Sequence, residues 1–406
     1  LMKKIILSVF FLAMVIITNA QTPKAELPFK YDQLYKTMFA KELCDFIQKH
    51  PDVVLIDVRT AGEYSDTSRY ASFNQGHLKG AVNINNEEIK KDIALLNPYK
   101  DKPIVLYCSH SQRSRRISKL LSENGFTNFY NLNGGMSSLN QLTETEFPCK
   151  NEWIVSNLSY KNCSANEAFR LIKNEKNLTI IDVRTTNQFN STDTSVANNI
   201  GRIKGAINIP YDELNAKINA FIFSKEKPVL IVGETGDGNP ARAADTLLSL
   251  GFKRVYQLLG GMDNFIATQS TASVLENTPL YHLINAPQAL KLLQTNSKLV
   301  VYDTRNDDEY NNKLTGADAY KNLGHMKNAI HVTAALFNNQ KLPANKAEQI
   351  LVYGNYDAYT FAKHLTDKGY AHVYLMPGFY DFVWSGFNVE SCKEAKKFVV
   401  DHQDQY

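Results

Sequence analysis

Short apolar runs ending in an Asp-x-Arg pattern recur three times along this chain. Val54-Leu-Ile-Asp-Val-Arg59 is echoed by Thr179-Ile-Ile-Asp-Val-Arg184 and by Val300-Val-Tyr-Asp-Thr-Arg305. Runs of this length, rich in Val, Ile and Leu, predict strands buried on both faces. Stretches of helical period, such as 165–173 and 286–293, alternate with them, which predicts βαβ units and parallel sheets. A further run, Ile104-Val-Leu-Tyr107, passes through a short polar loop into a helix predicted over 113–124 and stopped by Gly125.

Other motifs repeat in the same order. Gly76-His-Leu-Lys-Gly-Ala-Val-Asn-Ile84 returns as Gly201-Arg-Ile-Lys-Gly-Ala-Ile-Asn-Ile209 and Gly324-His-Met-Lys-Asn-Ala-Ile-His-Val332. Leu132-Asn-Gly-Gly-Met136 returns as Leu258-Leu-Gly-Gly-Met262 and, more loosely, Leu375-Met-Pro-Gly-Phe379. The first two copies lie 125 residues apart at Asp57/Asp182 and at Gly76/Gly201. Repeats this long are domains with their own cores, not solenoid units. The expected units are 31–150, 151–275 and 276–406. The polar stretch between Thr60 and Gln75 reads as a surface loop at the sheet's edge.

Composition adds little against this picture. The 406 residues are 44% apolar and 21% charged, as in ordinary globular chains, and the net charge of +4 is spread without basic blocks. Nucleic acid and membrane surfaces are therefore not expected as main partners. The N-terminus changes more. Met2-Lys3-Lys4, the apolar run Ile5 to Ile17 and then Thr18-Asn19-Ala20 form the three regions of a secretory signal peptide, expected over 1–20 with cleavage after Ala20. No later stretch approaches the ~20 apolar residues of a spanning helix. A periplasmic or secreted protein is expected.

An oxidising compartment makes the five cysteines informative, because an odd count leaves at least one thiol outside intramolecular bridges. Cys108 is the expected free thiol. Cys44 falls in the apolar stripe of Phe39, Leu43, Phe46 and Ile47 and reads as core. Cys149, Cys163 and Cys392 lie near domain edges; a Cys149 to Cys163 bridge is one pairing that the sequence leaves open.

Cys108 ends a buried strand and opens the loop Ser109-His-Ser-Gln-Arg-Ser114. Successive N–H groups of such a loop can turn toward one point, backed by the positive end of the following helix. A thiolate or an anionic persulfide at that point is stabilised, and Arg113, Arg115 and Arg116 bring positive charge to the same helix start. His110 is a further candidate donor. No metal-ligand spacing accompanies Cys108 and His110, and no cofactor is expected.

Together, Asp57-Val-Arg59 with Glu63-Tyr64, Gly76-His-Leu-Lys-Gly-Ala81, Cys108-Ser-His-Ser-Gln-Arg-Ser114 and Leu132-Asn-Gly-Gly-Met136 resemble the rhodanese domain of sulfurtransferases. The resemblance covers nearly all of 31–390 and implies an α/β chain of three tandem rhodanese-like domains, each a mainly parallel sheet flanked by helices. It implies a cycle in which Cys108 takes sulfane sulfur from a donor such as thiosulfate and passes it to cyanide or a thiol. Arg113 would close the cradle made by Ser109, His110, Ser111, Gln112 and Ser114, while Asp57 and Arg59 would brace the loop. Related phosphatases carry a cysteine loop one residue longer, so the shorter loop here favours sulfur over phosphate. Many family loops carry glycine where Ser111 stands, which predicts strain if that position needs positive φ.

The other copies place Gly233 and Gly354 where cysteine is expected, and the third loop is shortened. Neither can form a persulfide. They are expected to support or shield the first copy, or to offer surfaces that bind a partner or a small ligand. Against the sulfurtransferase expectation stands a binding protein built from the same domains, in which Cys108 is a relict.

Overall fold

The computed structural model describes residues 35–218, 224–384 and 395–401. The expected signal segment and Cys392 lie outside them. Three parallel sheets of five strands account for the three copies. In the first, β1 (Lys36–Met38), β2 (Val54–Asp57), β3 (Val82–Asn83), β4 (Ile104–Tyr107) and β5 (Phe129–Leu132) lie in the order β1-β5-β4-β2-β3. The second, β6 (Lys161–Cys163), β7 (Thr179–Asp182), β8 (Ile207–Asn208), β9 (Pro228–Val232) and β10 (Arg254–Leu258), repeats that order. So does the third, β11 (His282–Leu283), β12 (Val300–Asp303), β13 (Ile330–His331), β14 (Gln349–Gly354) and β15 (His372–Pro377). The central strands are the most apolar: all four residues of β4 and all five of β9 are buried, as strands covered on both faces require.

The helices follow their sequence signals. In α1 (Ala40–Lys49), Ala40, Leu43, Cys44 and Ile47 form the buried stripe. A reciprocal cap between Ser164 and Glu167 starts α3 (Ala165–Asn174), one between Asn285 and Gln288 starts α5 (Ala286–Thr295), and α2 (Gln112–Glu123) stops before Gly125 at φ 75°. The counterparts of α2 in the other two units are α4 (Asn239–Ser249) and α6 (Tyr356–Asp367).

Each Asp-x-Arg motif forms the same buried brace. Arg59 grips Asp57 at 2.7 Å and donates to the Gly76 carbonyl at 2.7 Å; Arg184 and Arg305 do the same with Asp182 and Gly201 and with Asp303 and Gly324. This corrects one expectation: Asp57 and Arg59 brace the Gly76 segment directly, not the cysteine loop. The Tyr107 hydroxyl then accepts from the Leu78 amide at 3.1 Å and ties that segment to β4.

Each unit is closed by the segment that leaves it. His77–Leu78 pairs with Ile154–Val155, Arg202–Ile203 with Leu275–Glu276, and His325–Met326 with Val399–Val400, all antiparallel. The chain therefore returns to the first unit beyond residue 150. This return sets Cys149 against α1, where it is disulfide-bonded to Cys44. The Cys149 to Cys163 pairing is thus not formed, and Cys44 is a bridge as well as a core residue. Cys163 is a free, buried thiol in β6, and burial pushes its pKa up to about 12.

The third unit packs on both others. One apolar cluster runs from Ile56, Leu106 and Ile117 to Ile284, Leu351 and Phe379; another joins Leu230 and Phe265 to Tyr302 and Phe361.

Candidate active site

β4 delivers Cys108 to the carboxyl end of the first sheet, where sites in such folds form. Ser111 then turns into the left-handed region, φ 72°, before α2 begins at Gln112. Among the described residues, no backbone N–H from Ser109 to Ser114 donates to a protein acceptor. Amides left free at a helix start favour an anion, and these follow Cys108 directly in the chain. Ser114 Oγ lies 3.7 Å from the Cys108 sulfur and 2.6 Å from Asn131 Oδ1.

The side chain of Ser111 explains how a non-glycine residue is held there. Its hydroxyl donates to the Leu132 carbonyl at 3.1 Å and accepts from the Gly134 amide at 2.5 Å. The Leu132-Asn-Gly-Gly-Met136 motif also clamps the loop from outside. Met136 N–H donates to Cys108 O at 2.9 Å and Ser137 N–H to Ser109 O at 3.0 Å. A Cβ at Gly135 would stand 2.1 Å from Cys108 O, so only glycine admits this approach.

Arg113 does not act alone. Its guanidinium donates to both carboxylate oxygens of Glu63 at 2.6 Å and to Ser109 Oγ at 2.8 Å. Burial alone would raise the Glu63 pKa, but the Arg113 and Thr60 hydrogen bonds hold it below the ordinary carboxylate value. Sequence reading set Glu63 in the family pattern without a role. The Thr60-x-x-Glu63 capping box was the available signal; the second partner, fifty residues on, carried none. Arg115, expected to add charge at the thiol, is buried and directed to Asn133 at 2.8 Å and to Tyr380 of the third unit at 3.4 Å.

His110 Nε2 lies 2.9 Å from Ser137 Oγ. Its ring is exposed and lines two cavities, where partial desolvation and the charge of Arg113 lower its pKa below the ordinary value. One of the cavities, about 800 Å³, has Cys108, Ser109, His110, Gln112 and Arg113 at its base. Cys108 itself is only 1% exposed. Thr60, Glu63, Ser68, Tyr70 and Phe73 form one wall, so the polar stretch 60–75 is part of the site and not only a surface loop. The opposite wall comes from the third unit.

The silent copies are closed to a thiol sterically. Asp57, Asp182 and Asp303 pair with Tyr107, Val232 and Tyr353, so Gly233 and Gly354, each one residue on, are the counterparts of Cys108. A Cβ at Gly233 would lie 2.4 Å from Pro240 Cγ, and one at Gly354 2.3 Å from Thr304 Oγ1.

The sequence pattern of the rhodanese-like domain matches residues 39–142, 164–268 and 286–383. The chain belongs to the rhodanese-like family. Among curated relatives, rhodanese-like matches include the thiosulfate sulfurtransferase GlpE of Shewanella oneidensis, 40% identical over 67 residues, which are 16% of this chain and 64% of GlpE. The uncharacterized protein YqhL of Bacillus subtilis is 41% identical over 81 residues, 20% of this chain and 56% of YqhL. The tRNA uridine(34) hydroxylase of Cronobacter sakazakii is 31% identical over 90 residues, 21% of this chain and 23% of that protein. Each match thus spans less than two thirds of the relative's length. Among solved structures, EanB/Y353A with ergothioneine aligns over 86% of this chain and 96% of its own, at 14% identity and a TM-score of 0.28. Rhodanese-like membership ties the chain to sulfur-related chemistry at the family level.

Proposed function

We propose that the protein is an exported sulfurtransferase that carries sulfane sulfur as a Cys108 persulfide. The observation that carries this reading is the run of amides from Ser109 to Ser114 without protein acceptors, directly after Cys108 at the start of α2. In the first half-reaction, the Cys108 thiolate attacks the outer sulfur of thiosulfate. A Cys–S–S bond forms, the thiosulfate S–S bond breaks, and its electron pair leaves on sulfite. In the second, cyanide attacks the outer sulfur of the persulfide, and the pair of the broken S–S bond returns to Cys108 as thiolate. The amides stabilise the anionic sulfur in both resting states. Arg113, fixed by Glu63, adds positive charge and closes the ring.

Export is supported by the signal-like pattern of 1–20 and by the Cys44–Cys149 bridge, since such bridges persist in oxidising compartments. The donor and acceptor classes in this reading are a small sulfane donor and cyanide or a thiol. The second and third units support the first and offer surfaces to a protein partner.

The test is thiocyanate production from thiosulfate and cyanide by the purified chain. Turnover that Cys108→Ser removes is expected; turnover equal in both proteins contradicts the reading. One observation favours a second reading, a binding protein with a relict thiol: Cys108 is 1% exposed. That reading requires Cys108→Ala to complement a deletion strain fully.

A further inference from the structure

The third unit cannot carry sulfur, because Gly354 has no room for a side chain, yet it builds half of the cavity above Cys108. Beside the polar Arg305, Glu309, Lys321 and Asn355, its contribution includes three aromatic rings. Tyr320, Tyr380 and the largely buried Phe379 line that space together with Tyr70 and Phe73 of the first unit. Tyr380 is fixed to the cysteine loop, its hydroxyl 3.4 Å from the His110 carbonyl oxygen, and Tyr320 meets it edge-on with ring centroids 6.2 Å apart. Phe379 is held under the Arg305 guanidinium at 4.6 Å. These rings come from a 3-10 turn (Gly316–Lys321) and from the start of a short helix (Tyr380–Trp384) in the third unit.

The size of the space is informative. Sites of roughly 300–1,000 Å³ enclose whole organic molecules. The cavity here, about 800 Å³, is far larger than a two-atom cyanide ion or a five-atom thiosulfate requires. Neither small ion uses an aromatic wall, whereas a flat ring gains from edge and face contacts with Tyr and Phe.

Resting on the persulfide reading above, we propose that the third unit is the acceptor-selecting half of the site, and that the acceptor is an organic thiol carried on a planar ring, with Tyr320 as a specificity-determining residue. The thiolate of this acceptor attacks the outer sulfur of the Cys108 persulfide. A new S–S bond forms on the acceptor, the Cys108–sulfur bond breaks, and its electron pair returns to Cys108 as thiolate. The product is the acceptor persulfide, and no external oxidant or reductant is needed. Tyr320 touches neither the loop amides nor Arg113 in this scheme, so it selects the acceptor without charging the cysteine.

The full chain is loaded with thiosulfate, persulfide is quantified by mass spectrometry, and its discharge is followed separately with thiophenol and with cyanide. Tyr320→Ala is expected to load fully, to discharge to cyanide at the wild-type rate, and to need about three- to tenfold more thiophenol for half-maximal rate, the loss expected for one aromatic contact. Tyr320→Phe is expected to restore the wild-type value, which separates a ring contact from a folding defect. Equal effects on both acceptors, or none on either, would overturn the proposal. A second measurement stands apart from loading: thioanisole, which cannot accept sulfur as a thiol, is expected to bind Cys108→Ser protein by ligand-observed NMR and to bind about three- to tenfold more weakly when Tyr320→Ala is added. Failure of loading in the wild type refutes the persulfide reading, while absence of thioanisole binding refutes the ring-binding wall on its own.

Discussion

Ser111 occupies a left-handed position, φ 72°, that costs a side-chain-bearing residue about 1–2 kcal/mol. Its hydroxyl offsets this by satisfying the Leu132 carbonyl and the Gly134 amide inside the protein. The two contributions are separable. Ser111→Ala keeps the strain and loses both bonds, whereas Ser111→Gly loses the bonds but releases the strain. Ala is therefore expected to be less stable than Gly by about 1 kcal/mol in denaturant titrations, although Ala is ordinarily the better residue. The departure from glycine was legible in the sequence, and so was the strain it implies. The compensating hydroxyl was not, because both of its partners lie more than twenty residues away, at the end of β5 and just beyond it. Glu63 makes a similar point through charge. Its folded pKa lies below the unfolded value, so its pairing with Arg113 contributes stability above about pH 4.5 that is lost as pH falls through the folded value. Glu63→Gln should lower the melting temperature at pH 7 by the equivalent of roughly 1–3 kcal/mol, with the gap to wild type narrowing below pH 4.

At the scale of elements, the site is a strand end pressed between two loops. β4 and α2 place Cys108, the glycine pair after β5 clamps it from behind, and the 60–75 segment supplies Glu63 from the side. Gly135→Ala is expected to destabilise the protein by roughly 2–4 kcal/mol in thermal melts, since its Cβ would collide with Cys108 O at a backbone angle that favours glycine. Gly233→Cys is expected to yield no second persulfide by peptide mass spectrometry, because Pro240 occupies that space. Strands, helices and the order of the repeat were readable because each carries a local period or cap. The 60–75 segment was not assigned to the site, because its place is set by contacts across the sheet and not by its own pattern.

Across the whole molecule, the three copies have diverged in role while keeping one strand order. The first retains the thiol, the third walls its cavity, and the second meets both at another cavity of about 440 Å³ lined by His110 and by its own loop residues Glu234 and Asp237. Which copy faces which is a property of packed surfaces, so sequence repeats alone could not give it. The Cys44–Cys149 bridge encloses most of the first unit with a sequence separation of 105. Replacing both cysteines by serine is expected to cost about 2–4 kcal/mol of stability, read by denaturant unfolding, and to leave Cys108 chemistry in place.

Mass analysis of the Cys108 peptide after thiosulfate treatment of the intact chain tests the persulfide most directly. A gain of one sulfur on that peptide, removed by cyanide and absent from Cys108→Ser, is the predicted result. An unmodified Cys108 in folded protein would contradict sulfur transfer at this site.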